Sequence, residues 1–159
     1  MGYADSNLMA GETIVHRAKM HWVLFVPGIF FALLWAVPAA VAVSSKGDLA
    51  LGMRLVLGAP MVLALYMLLT RTIEYFTTEL VVTSRRVMVK KGFIRRATSE
   101  LNHARVEGFN VEQSILGRLL GFGTVVVNGT GGGKTPVRAV ASPLEFRRMS
   151  AMAIDPRQE

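Results

Sequence analysis

The sequence predicts an α+β membrane protein, with an N-terminal two-helix transmembrane hairpin followed by an antiparallel β-sandwich or barrel and a C-terminal capping helix. Three observations predict it. Residues 22–43 carry no charge, and at about 1.5 Å per residue they match a hydrocarbon core of about 30 Å. A second apolar stretch, 49–70, follows after a short polar connection. Beyond it the chain turns to short β-rich segments punctuated by glycine and asparagine, and it closes with a well-marked helix start.

Composition sets the same bounds. Of 159 residues 52% are hydrophobic and 18% charged, which excludes a disordered tail and argues against an ordinary soluble domain. The absence of cysteine excludes a disulfide framework, a thiolate metal site and cysteine catalysis. His16 and His21 lie five apart, off the i,i+4 spacing that puts two ligands on one helical face, and His103 stands alone. No metal and no cofactor is expected.

Taken in order, residues 1–21 read as a cytoplasmic N-terminal segment and 22–70 as the transmembrane hairpin. A buried core helix is the competing reading of each apolar run, but the rest of the chain is too small to surround two of them. A cleaved leader ending near Ala40-Val41-Ala42 is disfavoured by the length of the run, the polar residues before it and the second span after it. Residues 44–48 are too short to do more than turn the chain, so both termini share one side. Arg17, Lys19, Arg71, Arg85, Arg86, Lys90 and Lys91 flank that side, against Lys46 and Arg54 at the tip. The imbalance places both termini in the cytoplasm, and Arg54 sits close enough to its span's start to reach the head groups. Pro27, Pro38 and Pro60 are tolerable in membrane helices. Gly28, Ala32, Ala36 and Ala40 form a small-residue seam at four-residue intervals. The seam packs against the second helix of its own hairpin or against a neighbouring protein.

Residues 71–159 read as a cytoplasmic domain. Strands are expected over 77–83 (TTELVVT), 86–90 (RVMVK), 93–101, 106–113, 124–128 (TVVVN) and 135–140. Val87 and Val89 alternate with Met88 and Lys90, and Lys91-Gly92 supplies a turn, so the second and third strands form a hairpin. Residues 114–120 (SILGRLL) are too short for a full helix and read as one turn covering an end of the barrel. Phe109, Val111, Ile115, Leu116, Leu119, Leu120 and Phe122 are expected mostly in the core, with Leu119 and Phe122 the candidates for partial exposure. Ser142, Pro143 and Glu145 make a capping box. The helix they start has an apolar side of Leu144, Phe146, Met149 and Met152 or Ala153, with Phe146 and Met149 as core anchors.

Two apolar helices followed by EYFTTELVVTSRRVMVKKGFIRR, SILGRLLGFGTVVVNGTGG and SPLEFRR resemble the bacterial pleckstrin-homology-like (PH-like, DUF304-type) membrane proteins. The most specific stretches are 83–86 (TSRR), 92–95 (GFIR), 113–123 and 128–132. The resemblance implies a bent sandwich of about seven strands capped by a C-terminal helix. It implies little about activity, because PH-like folds host lipid, peptide and protein binding alike.

The candidate chemistry is sparse. Residues 128–135 (NGTGGGKT) evoke a phosphate loop, but Asn128 stands where a glycine is needed and Pro136 forbids the following helix. A hairpin loop explains them better, and no nucleotide partner is expected. Glu74, Glu79, Glu100, Glu107, Glu112 and Glu145 are scattered one per element, with no nucleophile motif beside them, so an enzyme is not expected. The feature above background is the basic run Arg85, Arg86, Lys90, Lys91, Arg95 and Arg96. It admits three readings: a topology signal, a site for anionic lipid head groups, or a site for an acidic protein partner. Nucleic acid is disfavoured, because Phe93 alone offers a stacking surface. The expected function is a non-enzymatic, membrane-anchored binding or scaffold module that recruits or stabilises a membrane protein assembly, as accessory subunit or homo-oligomer. The alternative is a sensor of anionic head groups.

Overall fold

The computed structural model describes residues 3–44, 51–92 and 96–154, and the chain forms two compact units, Trp22–Glu74 and Met1–His21 with Tyr75–Glu159. The apolar unit begins with a tight helical turn, Trp22–Phe25, that leads into α2 (Val26–Ser44); its second helix is α3 (Leu51–Thr77), and α1 is the short N-terminal helix Tyr3–Ser6 of the other unit. Most of the expected connection, from residue 45 on, lies outside the described residues. Both helices are long and apolar enough to cross a bilayer. Their large side chains, among them Phe30, Leu33, Val37, Val62 and Leu69, point outward. The second helix runs seven residues past its expected end. Thr70 and Thr72 return their hydroxyls to the carbonyls of Met67 and Leu68, and Arg71 pairs with Glu74 at 2.6 Å, so polar residues continue the helix that the apolar pattern alone would have ended.

The other unit is a two-sheet sandwich. Among the described residues β1 (Ile14–Arg17), β2 (Glu79–Thr83), β3 (Arg86–Lys91) and β4 (Ala97–Asn102) form one antiparallel sheet in that order. The second sheet holds β5 (Val106–Glu112), β6 (Phe122–Gly129) and β7 (Gly133–Ala141). The expected strand at 77–83 starts two residues late, because Thr77 closes α3. The strand expected over 93–101 begins at Ala97, and residues 93–95 lie outside the described set. Its hairpin with β3 is in place, with Val87 opposite Leu101 and Lys91 opposite Ala97. The 128–135 segment is the β6–β7 hairpin, turned through Gly131 and Gly132 at φ of 89° and 80°, a region that only glycine enters at little cost.

The core lies between the sheets and under the last helix, α5 (Pro143–Ile154). Leu80, Val82, Val87, Val89, Phe109, Val125, Val127, Val137, Val140 and Phe146 form it. Phe146 anchors α5 as expected, but its companions are Ser150, Ala153 and Ile154, while Leu144 and Met152 are exposed and Met149 only half-buried. The start of the helix also departs from an ordinary cap. Ser142 has φ of 46°, outside the extended conformation of a capping serine, and its N–H donates to the carbonyl of Gly121.

The N-terminal segment expected to stand apart is instead part of this sandwich. The Ala18 N–H donates to Leu80 and the His21 N–H to Ala139, while Met20 bridges Val140. A bulge between Ile14 and His16 sends residues two apart to opposite faces. Ile14 joins Tyr3, Ala4, Val81 and Met88 on the outer side of the first sheet, and the His16 ring meets Phe146 in the core at 5.4 Å. Residues 3–13 therefore strap the outer face. That is why β2 and most of β3 are buried on both sides, and why ELVVT and RVMV read as nearly continuous apolar runs.

Candidate functional site

The strap is held at the β2–β3 turn, where TSRR lies. The Thr83 hydroxyl donates to Glu12 at 2.6 Å and accepts from the Arg86 N–H at 3.0 Å. The Arg86 guanidinium donates to both Glu12 oxygens at 3.0 Å, to Glu100 at 2.7 Å and to the Asn7 carbonyl at 2.7 Å. The Glu12 side chain is fully buried and that of Arg86 is 9% exposed. Burial works to raise the Glu12 carboxyl, but the Met9 N–H, the Thr83 hydroxyl and Arg86 outweigh it and hold the pKa at about 2. Hydrogen bonding to Glu12 raises that of Arg86. Nearby, burial lowers His103.

This corrects the reading of the basic run as one solvent-facing patch. Arg86 is an internal cation with two carboxylates. Lys90 lies 5.1 Å above the Tyr3 ring, and the Lys91 ammonium donates to the Pro136 carbonyl. Arg85 and Arg96 are exposed, but they flank opposite ends of β3, about 20 Å apart at the usual strand rise. Arg95 lies outside the described residues. No local pattern signals the pairing of Arg86, because its partners are 74 and 14 positions away. One clue was present: Glu12 is the sole acid between residues 6 and 47, just ahead of the β-branched pair Ile14-Val15.

The small-residue seam divides as well. Gly28 is buried, and a Cβ there would come within 2.7 Å of Leu68 on α3. Ala32 is half-buried, whereas Ala36 and Ala40 are exposed. Helical geometry accounts for this, since each four-residue step advances about 40° around the axis. A strict four-residue row thus leaves one face within twelve residues.

A surface of opposite character lies between β5 and β6, where α4 (Ile115–Leu120) is fixed at both ends. Ser114 caps it through the Gly117 N–H at 3.0 Å, and Gly121 ends it in the left-handed region at φ of 75°. Gln113 donates to the Phe122 carbonyl at 2.9 Å. Gly117 faces the sandwich, and a Cβ there would meet that same carbonyl oxygen at 2.7 Å. The missing side chain lets the helix lie flat on β6, and the apolar residues are left facing out. Ile115 is 88% exposed, Leu116 64%, Leu119 80% and Leu120 45%. The expected core placement is therefore wrong for Ile115, Leu116 and Leu120, whereas Leu119 is exposed and Phe122 half-buried, in line with the partial exposure expected of those two. Phe109 is buried and Phe122 is packed against the His21 ring at 5.3 Å. A groove of about 590 Å³ separates α4 from the start of α5, lined by Val111, Gln113, Arg118, Gly121, Pro143 and Leu144. Each large aliphatic side chain contributes about 1.5–3 kcal/mol when fully buried, and α4 leaves most of that unused.

Among the described residues, seven antiparallel strands in two sheets, closed by a C-terminal helix, define a PH-like domain, here in one chain with two long apolar helices. The profile of the family described as Bacterial PH domain matches residues 23–153, and the chain belongs to that family. No curated protein and no solved structure matches it.

Proposed function

We propose that the protein is a non-enzymatic, membrane-anchored PH-like module that recruits or stabilises a membrane protein assembly, as an accessory subunit or a homo-oligomer. In this reading α2 and α3 form a transmembrane hairpin in the bacterial cytoplasmic membrane, with both termini in the cytoplasm. The observation that carries it is the pair of apolar helices whose large side chains face outward, joined to a domain of the bacterial PH family. Ala36 and Ala40, exposed on α2, are the small residues a neighbouring helix would approach. Replacing both by leucine in the full-length protein should dissociate the assembly extracted in mild detergent, read by sedimentation. An unchanged sedimenting mass would contradict packing through this face.

A second reading, recognition of anionic head groups by the basic hairpin, is favoured by Lys90 and Arg96 near one end of β3. Each such cation contributes about 1 kcal/mol beside an anionic leaflet. Binding of the full chain to anionic vesicles should then fall with salt and with Arg96→Glu; indifference to both would dismiss this reading.

A further inference from the structure

We propose that α4 is an interfacial wedge, its Ile115, Leu116, Leu119 and Leu120 face seated in the boundary between head groups and acyl chains of the bilayer. This rests on the reading that the chain crosses the membrane from Trp22 onward. The four side chains are large, aliphatic and exposed, and they share one helical face at i, i+1, i+4 and i+5. Their exposure is built in, since the serine cap, the left-handed glycine and the Gly117 contact hold the helix rigidly with that face outward.

The occupant follows from where the chain leaves the sandwich. His21 is its last residue before the apolar helix; its N–H is bound by Ala139 and its ring lies on Phe122. Phe122 comes three residues after Leu119, at most about 11 Å of extended chain. The α4 face and His21, the last residue of the sandwich before the apolar helix, are thus linked through Phe122. Polar residues around it match a lipid surface. Arg118 projects beside the face into the groove shared with Ser142 and Glu145, and Lys19 lines the adjoining cleft that shares the same two residues. Aliphatic side chains with a cation, Arg118, on the same short helix fit an interfacial helix. The wedge adds a short-range contact to a domain already tethered, so it sets the domain's pose on the membrane.

The absence of cysteine makes the test direct. Single cysteines at Leu119, at Leu33 in α2 and at Thr130 in the β6–β7 turn would carry an environment-sensitive fluorophore. Each full-length protein is reconstituted in phosphatidylglycerol-containing vesicles with or without lipids brominated near the head group. The wedge predicts a blue-shifted Leu119 reporter quenched at least twofold more than that at Thr130, with the Leu33 reporter shielded from aqueous quencher. A shielded Leu33 with an unquenched, water-like Leu119 reporter overturns the wedge and leaves the anchor standing. A Leu119 reporter that is blue-shifted but untouched by bromine means that protein covers the face, which also overturns it. Exposure of both reporters to water removes the anchor and the wedge together. Leu116→Cys repeats the measurement should labelling at Leu119 disturb the fold.

Discussion

The β2–β3 turn and α4 invert the usual rule in opposite directions. At the turn, an arginine and a glutamate are buried; on α4, four aliphatic side chains are bare. Both sites are held rigidly by local hydrogen bonds, so neither is an accident of loose packing. The contrast teaches that the conspicuous charges of this chain are partly structural, and that its surplus apolar surface is where binding is to be sought. A buried ion pair does not by itself favour folding, but it is costly to break. An exposed aliphatic cluster costs the folded monomer little and favours whatever covers it.

The largest effect expected is from removing residues 3–21. Loss of β1, Glu12 and the strap uncovers Val81 and Met88 and leaves Arg86 with Glu100 alone, so the domain should lose protection in hydrogen exchange throughout β2 and β3. Retained protection would mean that the strap is an accessory to the fold. Glu12→Ala should cost about 3–5 kcal/mol, the range for breaking a buried pair, read from the thermal midpoint.

Acid should probe the same contact without mutation. Glu12 titrates at about 2 in the folded chain against 4.5 for the ordinary carboxyl, so its contribution is complete above about pH 4.5 and is lost as pH falls toward 2. The amount is about 3 kcal/mol. A Glu12→Gln variant should show a shallower loss across that interval, and parallel curves would contradict the role assigned to the pair.

Much of this was legible in the sequence and some of it was not, for identifiable reasons. The apolar helices, the β3–β4 and β6–β7 hairpins and Phe146 follow from local signals: uncharged length, alternation, glycine turns and a helix start. The role of Arg86 depends on a partner 74 residues away, and no local pattern announces a pairing of that range. β1 was missed for the same reason, since IVHR becomes a strand only beside β2. For α4 the pattern misled: a run of isoleucine and leucines resembles core, and Gly117, which turns them outward, carries no orientation in the sequence alone.

Smaller effects sharpen the contrast. Gly28→Leu should destabilise the helical hairpin by about 1–3 kcal/mol through overpacking against Leu68, whereas Ala36→Leu should leave it intact. Leu116→Glu with Leu119→Glu should move the domain's stability by no more than about 0.5 kcal/mol, because both side chains are exposed. A large loss there would place them in a core, and the comparison would fail.

The account's central claim, a membrane-anchored module that works within an assembly, is tested most directly by gentle native extraction of the full-length protein and determination of its mass. The account predicts the mass of two or more copies of the 17.4 kDa chain, or that chain with a foreign membrane protein in fixed stoichiometry. A single 17.4 kDa chain with no protein partner at any detergent concentration that keeps the domain folded would contradict it.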